Sequence, residues 1–544
     1  MLEDRLTASL TLTISGTSYE IPGGQIEVVD VTLMSYGFRA LVEFVLSDDQ
    51  AHGGQISDEL AAAFLELDLI EAKLTTSWQH LDEGSETAAE DTAITGLVEQ
   101  KALTEEVYRD TSDLPVLARR YQIEFADPAQ VLWRQHYPCV LYTDTSVADV
   151  LAAHKGSYID IDCQWQDLST AKPQFFVHLP AARERSFYDF VLWYLDAIGA
   201  VFYYDYSAAK YVVAEDKDSL GVAIKPIGDD AARVTLRVPA APRSQPRVLN
   251  SYSEEPKTTS IEQEQAATGM YHDVLMRTPI AQDFDDRVTL ETARAVLPLY
   301  ELSLSLTSGP ADSVVPGTLV EIDTALRWSS ESAAASPTWR VIHCRLQVKA
   351  SRPGPDVQSQ LDARDVRGEL SLTLEQKDDP RPRWPAFQCP VYPGLIEGKV
   401  VSEQGEDTDM TYQVYTDEDT SLETYQVKVP LWDDQIVSAP FQPEQGSGNV
   451  FIPAYRDARV LLEMDLEESY IRRLLDWREG APLSMDVQGE QIYFGKNATS
   501  HTTVSHQYDS DKPVFEVARL NDKDTATIRI EEGTLTIQVK EEAE

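Results

Sequence analysis

The segment Thr525–Lys540, TATIRIEEGTLTIQVK, constrains the fold more than any other stretch of the 544 residues. Apolar side chains alternate in two runs, Ile528 and Ile530, then Leu535, Ile537 and Val539. Successive side chains of a strand point to opposite faces, so each run presents one apolar face. A two-stranded ribbon with a single apolar face is marginal in water and needs a covering surface. The other face carries Arg529, Glu531 and Lys540, and the segment is terminal. The pattern predicts three such ribbons wrapped about a threefold axis, with Ile528, Ile530, Leu535, Ile537 and Val539 as the trimer core. A plain edge hairpin covered by the rest of the chain is the alternative.

Upstream, the sequence divides by texture. Residues 1–113 read as a first β unit: Ala8, Leu10, Leu12 and Ile14 alternate, further alternation follows at Gln25–Leu33 and Arg39–Leu46, and DELAAAFLEL (Asp58–Leu67) inserts a short helix. The polar, acidic Leu81–Thr92 reads as a loop. Residues 114–233 read as α+β. Within Ser186–Ile198 the residues Phe187, Phe190, Val191, Tyr194, Leu195 and Ile198 form one apolar helix face ended by Gly199, and Ala200–Tyr206 with Lys210–Ala214 reads as a hairpin. Residues 234–377 form a second β unit with a turn at Pro316-Gly317, and the proline-rich 378–393 is a linker that can continue neither a helix nor a central strand. Residues 394–487 supply short strands for a small barrel, with Gly394–Val401, Thr411–Tyr415, Tyr425–Val429, Ala458–Met464 and Gln491–Phe494 giving a count of five and Glu403–Glu423 an acidic, solvated insertion. Residues 488–544 lack helix signals. The expected fold class is mainly β with an α+β segment.

Charge narrows the partners. Asp and Glu number 91 against 46 Lys and Arg, a net charge of −45, and such a surface repels nucleic acid and anionic lipid. The four cysteines, Cys139, Cys163, Cys344 and Cys389, are scattered without metal-binding spacing, which points to a reducing compartment. The start, Met1-Leu2-Glu3-Asp4-Arg5-Leu6, has neither a basic nor an apolar region, so no signal peptide is expected. The most apolar window, Phe187–Tyr206, is broken by Asp189, Asp196 and Asp205, which rules it out as a membrane span.

Chemistry-bearing motifs are missing. There is no G-x-S-x-G, H-E-x-x-H, phosphate-binding loop or dinucleotide fingerprint, and Gln445-Gly446-Ser447-Gly448-Asn449 lacks the nucleophile spacing. Asp160 and Asp162 are the kind of carboxylate pair that 91 acidic residues make inevitable. His501 and His506 would be triplicated by a threefold axis, but without an H-x-H pair they read as surface or strand-face residues. Trp384, Trp432 and Trp477 read as core or linker packing rather than sugar platforms. The expectation is a non-enzyme without catalytic, cofactor-binding or metal residues; the alternative is a multidomain β glycan-binding protein or hydrolase.

Tyr121-Gln122-Ile123-Glu124-Phe125-Ala126-Asp127-Pro128, followed by Val131-Leu132-Trp133 and Ser146-Val147-Ala148-Asp149-Val150-Leu151, resembles the hub segment of VgrG-type spike proteins. Phe175-Phe176-Val177-His178-Leu179, Ser186-Phe187-Tyr188-Asp189-Phe190 and Ile198-Gly199-Ala200-Val201-Phe202-Tyr203-Tyr204 look like the family's strand, helix, glycine and aromatic strand. The hub motif residues are thus Asp127, Pro128, Phe187, Asp189, Phe190, Gly199 and Tyr203. Leu179-Pro180-Ala181-Ala182 departs from the Gln-Tyr-Arg-Glu type run that members often carry. The order of units agrees over nearly the whole chain.

The resemblance implies two hub β-barrel-like units, an α+β unit, an OB-fold-like barrel and a C-terminal trimeric β-helix or β-prism spike. It implies a structural homotrimer that matches threefold spike to sixfold tube and pierces a membrane when a sheath contracts. The implied partners are the inner tube ring, baseplate proteins, a PAAR-type tip protein and, transiently, the target membrane, with no nucleic acid. A short tail with no lysozyme, toxin or adaptor domain looks most like the antifeeding-prophage and virulence-cassette type of extracellular particle. Such a protein is made in the bacterial cytoplasm and ends in a released, phage tail-like particle.

Overall fold

The computed structural model describes residues 5–541 apart from 51–52, 54–55, 83–84, 89–90, 110–114, 218–222, 228–230, 298, 307–312, 326–327, 352–365, 407–408, 418–419 and 442–450. The fold is mainly β, with five α-helices among these residues: α1 (Leu60–Leu65), α2 (Pro128–Leu132), α3 (Val147–His154), α4 (Phe187–Ile198) and α5 (Ala281–Arg294). No helix among them is long and apolar enough to cross a membrane. The Gln445–Asn449 segment lies outside the described residues.

The chain forms two compact units. The first comprises 1–137, 148–169 and 180–390; the second comprises 138–147, 170–179 and 391–544.

The first unit is built on a 14-stranded sheet. The two β textures merge within it, because Trp339–Ala350 pairs antiparallel with Ile26–Met34, from His343 opposite Met34 to Lys349 opposite Val28. Alternation decides which faces are buried: Val29, Val31 and Leu33 are buried on Ile26–Met34, and Val341, Cys344, Leu346 and Val348 on its neighbour. The stretch read as a loop, Leu81–Thr92, contains the strand Ser85–Ala88, paired back on Gln79–Asp82. A hairpin of acidic and small residues forms there because a long neighbouring strand offers it an edge, a signal that lies outside the segment itself.

A smaller module, Gln245–Asn250, Lys257–Ser260 and Tyr271–Met276 with α5 packed against it, closes over Val248, Ile261 and Phe284. The linker's first half is held by buried charges. Lys217 Nζ donates to Glu375 Oε1 (2.7 Å) and Asp379 O (3.1 Å), while Arg383 bridges Glu375 (2.9 Å) and Glu301 (2.8 Å).

The second unit holds a six-stranded sheet and a five-stranded one. The six-stranded sheet uses Gly394–Val400, Tyr415–Thr416, Glu423–Val429, Gln435–Ala439, Arg459–Met464 and Ser469–Leu474. Gln491–Phe494, counted as a barrel strand from the sequence, belongs to the other sheet; Gln435–Ala439 and Ser469–Leu474 complete this one. Its core, Val427, Val429, Val460, Leu462 and Met464, also contains Leu141 and Phe176. These come from the antiparallel pair Cys139–Ser146 and Ala171–His178, which the α+β stretch of sequence lends to this unit. Phe176 N donates to Leu466 O (2.7 Å), and Tyr392 Oη donates to Phe176 O (2.6 Å).

Candidate functional site

Two places concentrate the residues that the sequence singled out. The first is a buried knot in the first unit. Asp127 is fully buried and caps α2: its Oδ1 accepts from Gln130 N (3.1 Å) and from the Tyr211 hydroxyl, and its Oδ2 accepts from Phe38 N (2.9 Å) and Gln130 Nε2 (2.5 Å). Pro128 takes the first helical position, where its missing N–H costs nothing. Burial pushes the Asp127 carboxyl above its ordinary value, while its hydrogen bonds, from Tyr211 and Gln130 first, pull the other way. Gly37 leaves the room for this carboxylate, since a Cβ there would stand 2.2 Å from Oδ2.

The other motif residues frame a neighbouring helix. Ser186 and Asp189 form a capping box at the start of α4, with Ser186 Oγ 2.5 Å from Asp189 Oδ2, and Asp189 Oδ1 also accepts from Gln388 N (3.2 Å). Phe187 packs edge-on against Trp133 at 5.3 Å and stacks on Phe190 at 5.8 Å. Gly199 ends α4 at φ 81°, with Leu290 Cδ1 2.5 Å from where a Cβ would be. Tyr203 sits in a small core with Val201, Val212 and Ala214. Phe187 and Phe190 are thus packed into the fold, while Gly199 lines an open cavity and Tyr203 a smaller one. Asp162 is held by Lys210 Nζ (2.9 Å), which keeps its carboxyl below the ordinary range.

The second place is the C-terminal sheet. Gly489–Asn497, Ser500–Asp509, Lys512–Asn521, Asp524–Glu531 and Thr534–Lys540 form an antiparallel meander. The terminal ribbon is therefore the last two strands of five, a correction to the two-stranded reading. Register aligns Ile492, Val504, Val517, Ile528 and Ile537 in one row across the sheet. A second row runs Glu490, His506, Phe515, Ile530 and Leu535, and a third runs Phe494, Thr502, Arg519, Ala526 and Val539.

All five predicted core residues thus share one face. In the single chain that face is open: Ile528, Ile530, Leu535, Ile537 and Val539 are 42%, 47%, 62%, 69% and 65% exposed, and Ile492 and Phe494 are more than half exposed. The opposite face carries Arg529, tied to Glu531 at 2.8 Å and to Glu516 at 3.7 Å. A sheet with one side apolar and uncovered marks an interaction surface. Sequence reading missed Ile492, Phe494 and Phe515; their alternation is present but interrupted by Tyr493 and Val514 on the other face.

The meander is tied to the six-stranded sheet. The Arg478 guanidinium lies 4.0 Å from the Tyr455 ring centre and 5.1 Å from that of Tyr493, and donates to Gly495 O. Gln491 Nε2 donates to Gly480 O (2.9 Å) and Ala481 O (3.1 Å). The described part of the acidic insertion is pinned as well: Arg456 donates to the carbonyls of Ser402 (2.7 Å), Gln404 (2.9 Å) and Glu406 (2.8 Å), and buried Asp409 pairs with Lys496 and accepts from Asn497 (3.2 Å). That corrects the reading of Glu403–Glu423 as wholly solvated.

His501 and His506 fall on opposite faces of the meander, His501 stacked on Tyr493 at 4.9 Å and His506 beside Tyr508 at 5.3 Å. Among the described residues no group of three or more metal-ligating side chains occurs. Trp432 packs on the core of the six-stranded sheet and Trp384 is half-buried, whereas Trp477 is 84% exposed, which corrects the packing role read for it. It sits between Ser469–Leu474 and the meander.

No protein-family model matches the chain, and no curated protein does. Three solved structures share its fold over 99% of its length. A chain of the lidless PdpA–VgrG complex matches with TM-score 0.72 and 13% identity over 99% of that chain. Chains of the half-lidded and lidded Francisella PdpA–VgrG complexes match with TM-scores of 0.71 and 0.72, each at 13% identity, over 88% and 80% of those chains.

Proposed function

We propose that this chain is the fused hub and spike of a contractile injection particle: a structural, non-enzymatic protein that works as a homotrimer. The observation that carries the reading is the apolar face of the terminal meander, open in the single chain and lined by Ile528, Ile530, Leu535, Ile537 and Val539. Three copies facing a threefold axis would bury it and form the trimer core. The shared fold with chains of PdpA–VgrG complexes supports the same assignment over the full length.

In this reading the large sheet of the first unit forms the hub, three copies offering two β regions each to a sixfold inner tube, and the small barrel with the terminal meander forms the membrane-piercing point. The strands of the meander shorten from 10 residues in the middle to 8 and 7 at the end, a taper suited to a point. A PAAR-type protein would cap that point, and baseplate proteins would surround the hub. The particle type is the antifeeding-prophage and virulence-cassette kind, assembled in a bacterial cytoplasm and released. A trimer at −45 per chain carries −135, which favours basic surfaces on tube and baseplate partners and predicts salt-sensitive association.

Imaging of assembled particles tests the assignment. The expected result is a threefold density of this chain capping a sixfold tube; a chain absent from the tip, or present there as a monomer, would overturn it.

A further inference from the structure

Outside both places described above, two imidazoles meet in the first unit. His136 Nε2 lies 2.7 Å from His154 Nδ1, with the ring centres 4.9 Å apart. Each ring belongs to a different element. His136 follows the 3₁₀ turn Trp133–Gln135 after α2, and His154 is the last residue of α3. The pair is bound into its surroundings at both ends: Trp133 Nε1 donates to His154 O (2.8 Å), and Phe187 N, at the start of α4, donates to His136 O (2.8 Å). The Phe187 ring covers both imidazoles, at 5.4 Å from His136 and 4.6 Å from His154. Three helices of the motif region are thus joined through one contact between titratable rings.

The contact sets a limit on protons. A neutral pair has one N–H between the facing nitrogens, donated by one ring and accepted by the other. A first added proton goes to the outer nitrogen of the donor ring and leaves that bond in place. A second must go to the accepting nitrogen, where it removes the lone pair that holds the contact and sets two cations against each other in a half-buried site. We propose that the His136–His154 contact is an acid-sensitive latch, whose second protonation frees α2, α3 and α4 from one another.

The surroundings fit. Burial is what lowers the His136 ring; burial first and the His136 charge second push His154 down to about 4. On the neighbouring elements, Arg134 stacks over Tyr188 at 4.8 Å, Asp189 is occupied in the α4 capping box, and Asp149 lies on α3. The sign follows from the two states. In the opened state both rings titrate near the ordinary value of about 6.5, so between there and about 4 opening takes up protons. The closed form is therefore favoured above about pH 6.5 and loses ground as pH falls, by about tenfold per pH unit for each extra proton.

Hydrogen exchange on the full chain tests this, with protection corrected for the intrinsic rate at each pH. From pH 7.5 to 4.5, protection in α3 and the first turn of α4 is expected to fall by tenfold or more, while Ile123 and Phe125 in the large sheet hold theirs. His154→Gln and His136→Gln should each flatten that dependence. Where a variant fails to fold, nitrogen-15 titration of the parent's rings decides: His154 is expected to stay neutral to about pH 4. Protection unchanged down to pH 4.5, a fall that persists in both variants, or a His154 that protonates near pH 6.5 without loss of protection would each overturn the proposal.

Discussion

The Asp127 knot and the terminal meander are both products of short sequence patterns, yet one encloses its central polar group within the chain and the other leaves an apolar face exposed. Asp127 finds its partners inside the fold, its carboxylate enclosed by groups donated from Phe38, Gln130 and Tyr211. In the meander the backbone is equally regular, but its larger apolar side chains face outward with nothing over them. A knot whose needs are met locally stabilises the chain that carries it. A sheet whose apolar face is left open marks an interaction surface, and alternation with a polar opposite face is how a sequence writes such a surface.

The contrast can be broken from either side. The largest effect is expected in the meander: Ile528→Asp combined with Ile537→Asp places two facing carboxylates in one apolar row and should abolish the proposed trimer, with first-unit unfolding unchanged. Sedimentation and thermal unfolding check this, and a surviving trimer would remove the role given to those residues. Ending the chain at Gln488 should act in the same direction, leaving the hub folded and removing the thermally resistant, detergent-resistant trimer.

In the knot, Asp127→Ala orphans buried donors and is expected to cost about 3 kcal/mol, read as a lower denaturation midpoint of the first unit. Gly199→Ala forces a Cβ into Leu290 at a left-handed position, at about 1–2 kcal/mol. Ser186→Ala removes one half of the α4 capping box, at about 1 kcal/mol. None of these three should change the assembly state of the protein that remains folded.

What could be read from the sequence follows the same division. Helix α4 announces itself locally: Ser186 and Asp189 at one end, Gly199 at the other, and apolar residues at helical spacing between them. Asp127-Pro128 is likewise a local cap, but Tyr211, 84 residues further along, leaves no trace in that motif. Of the antiparallel pair Cys139–Ser146 and Ala171–His178, only Phe175–Leu179 reads as strand from sequence, and nothing in Leu141 or Phe176 says that they complete the core of a sheet beginning at Gly394. Apolar alternation specifies a face and not its address. The last two strands of the meander are legible because five aliphatic residues alternate in two runs; Gln491–Phe494 also reads as strand but is assigned to the barrel, and the rest is obscured because Tyr493 and Val514 blur the period. Trp477 departs from expectation for a related reason: large apolar residues are buried on average, yet this ring is exposed although the next residue, Arg478, is tied to Tyr455, Tyr493 and Gly495.

Native mass spectrometry of the intact protein tests the central claim most directly. Three chains of 60.8 kDa give a species of about 182 kDa, and that mass is the predicted result. A chain that remains at 60.8 kDa across micromolar concentrations, with the apolar face of the meander still open to solvent, would contradict it.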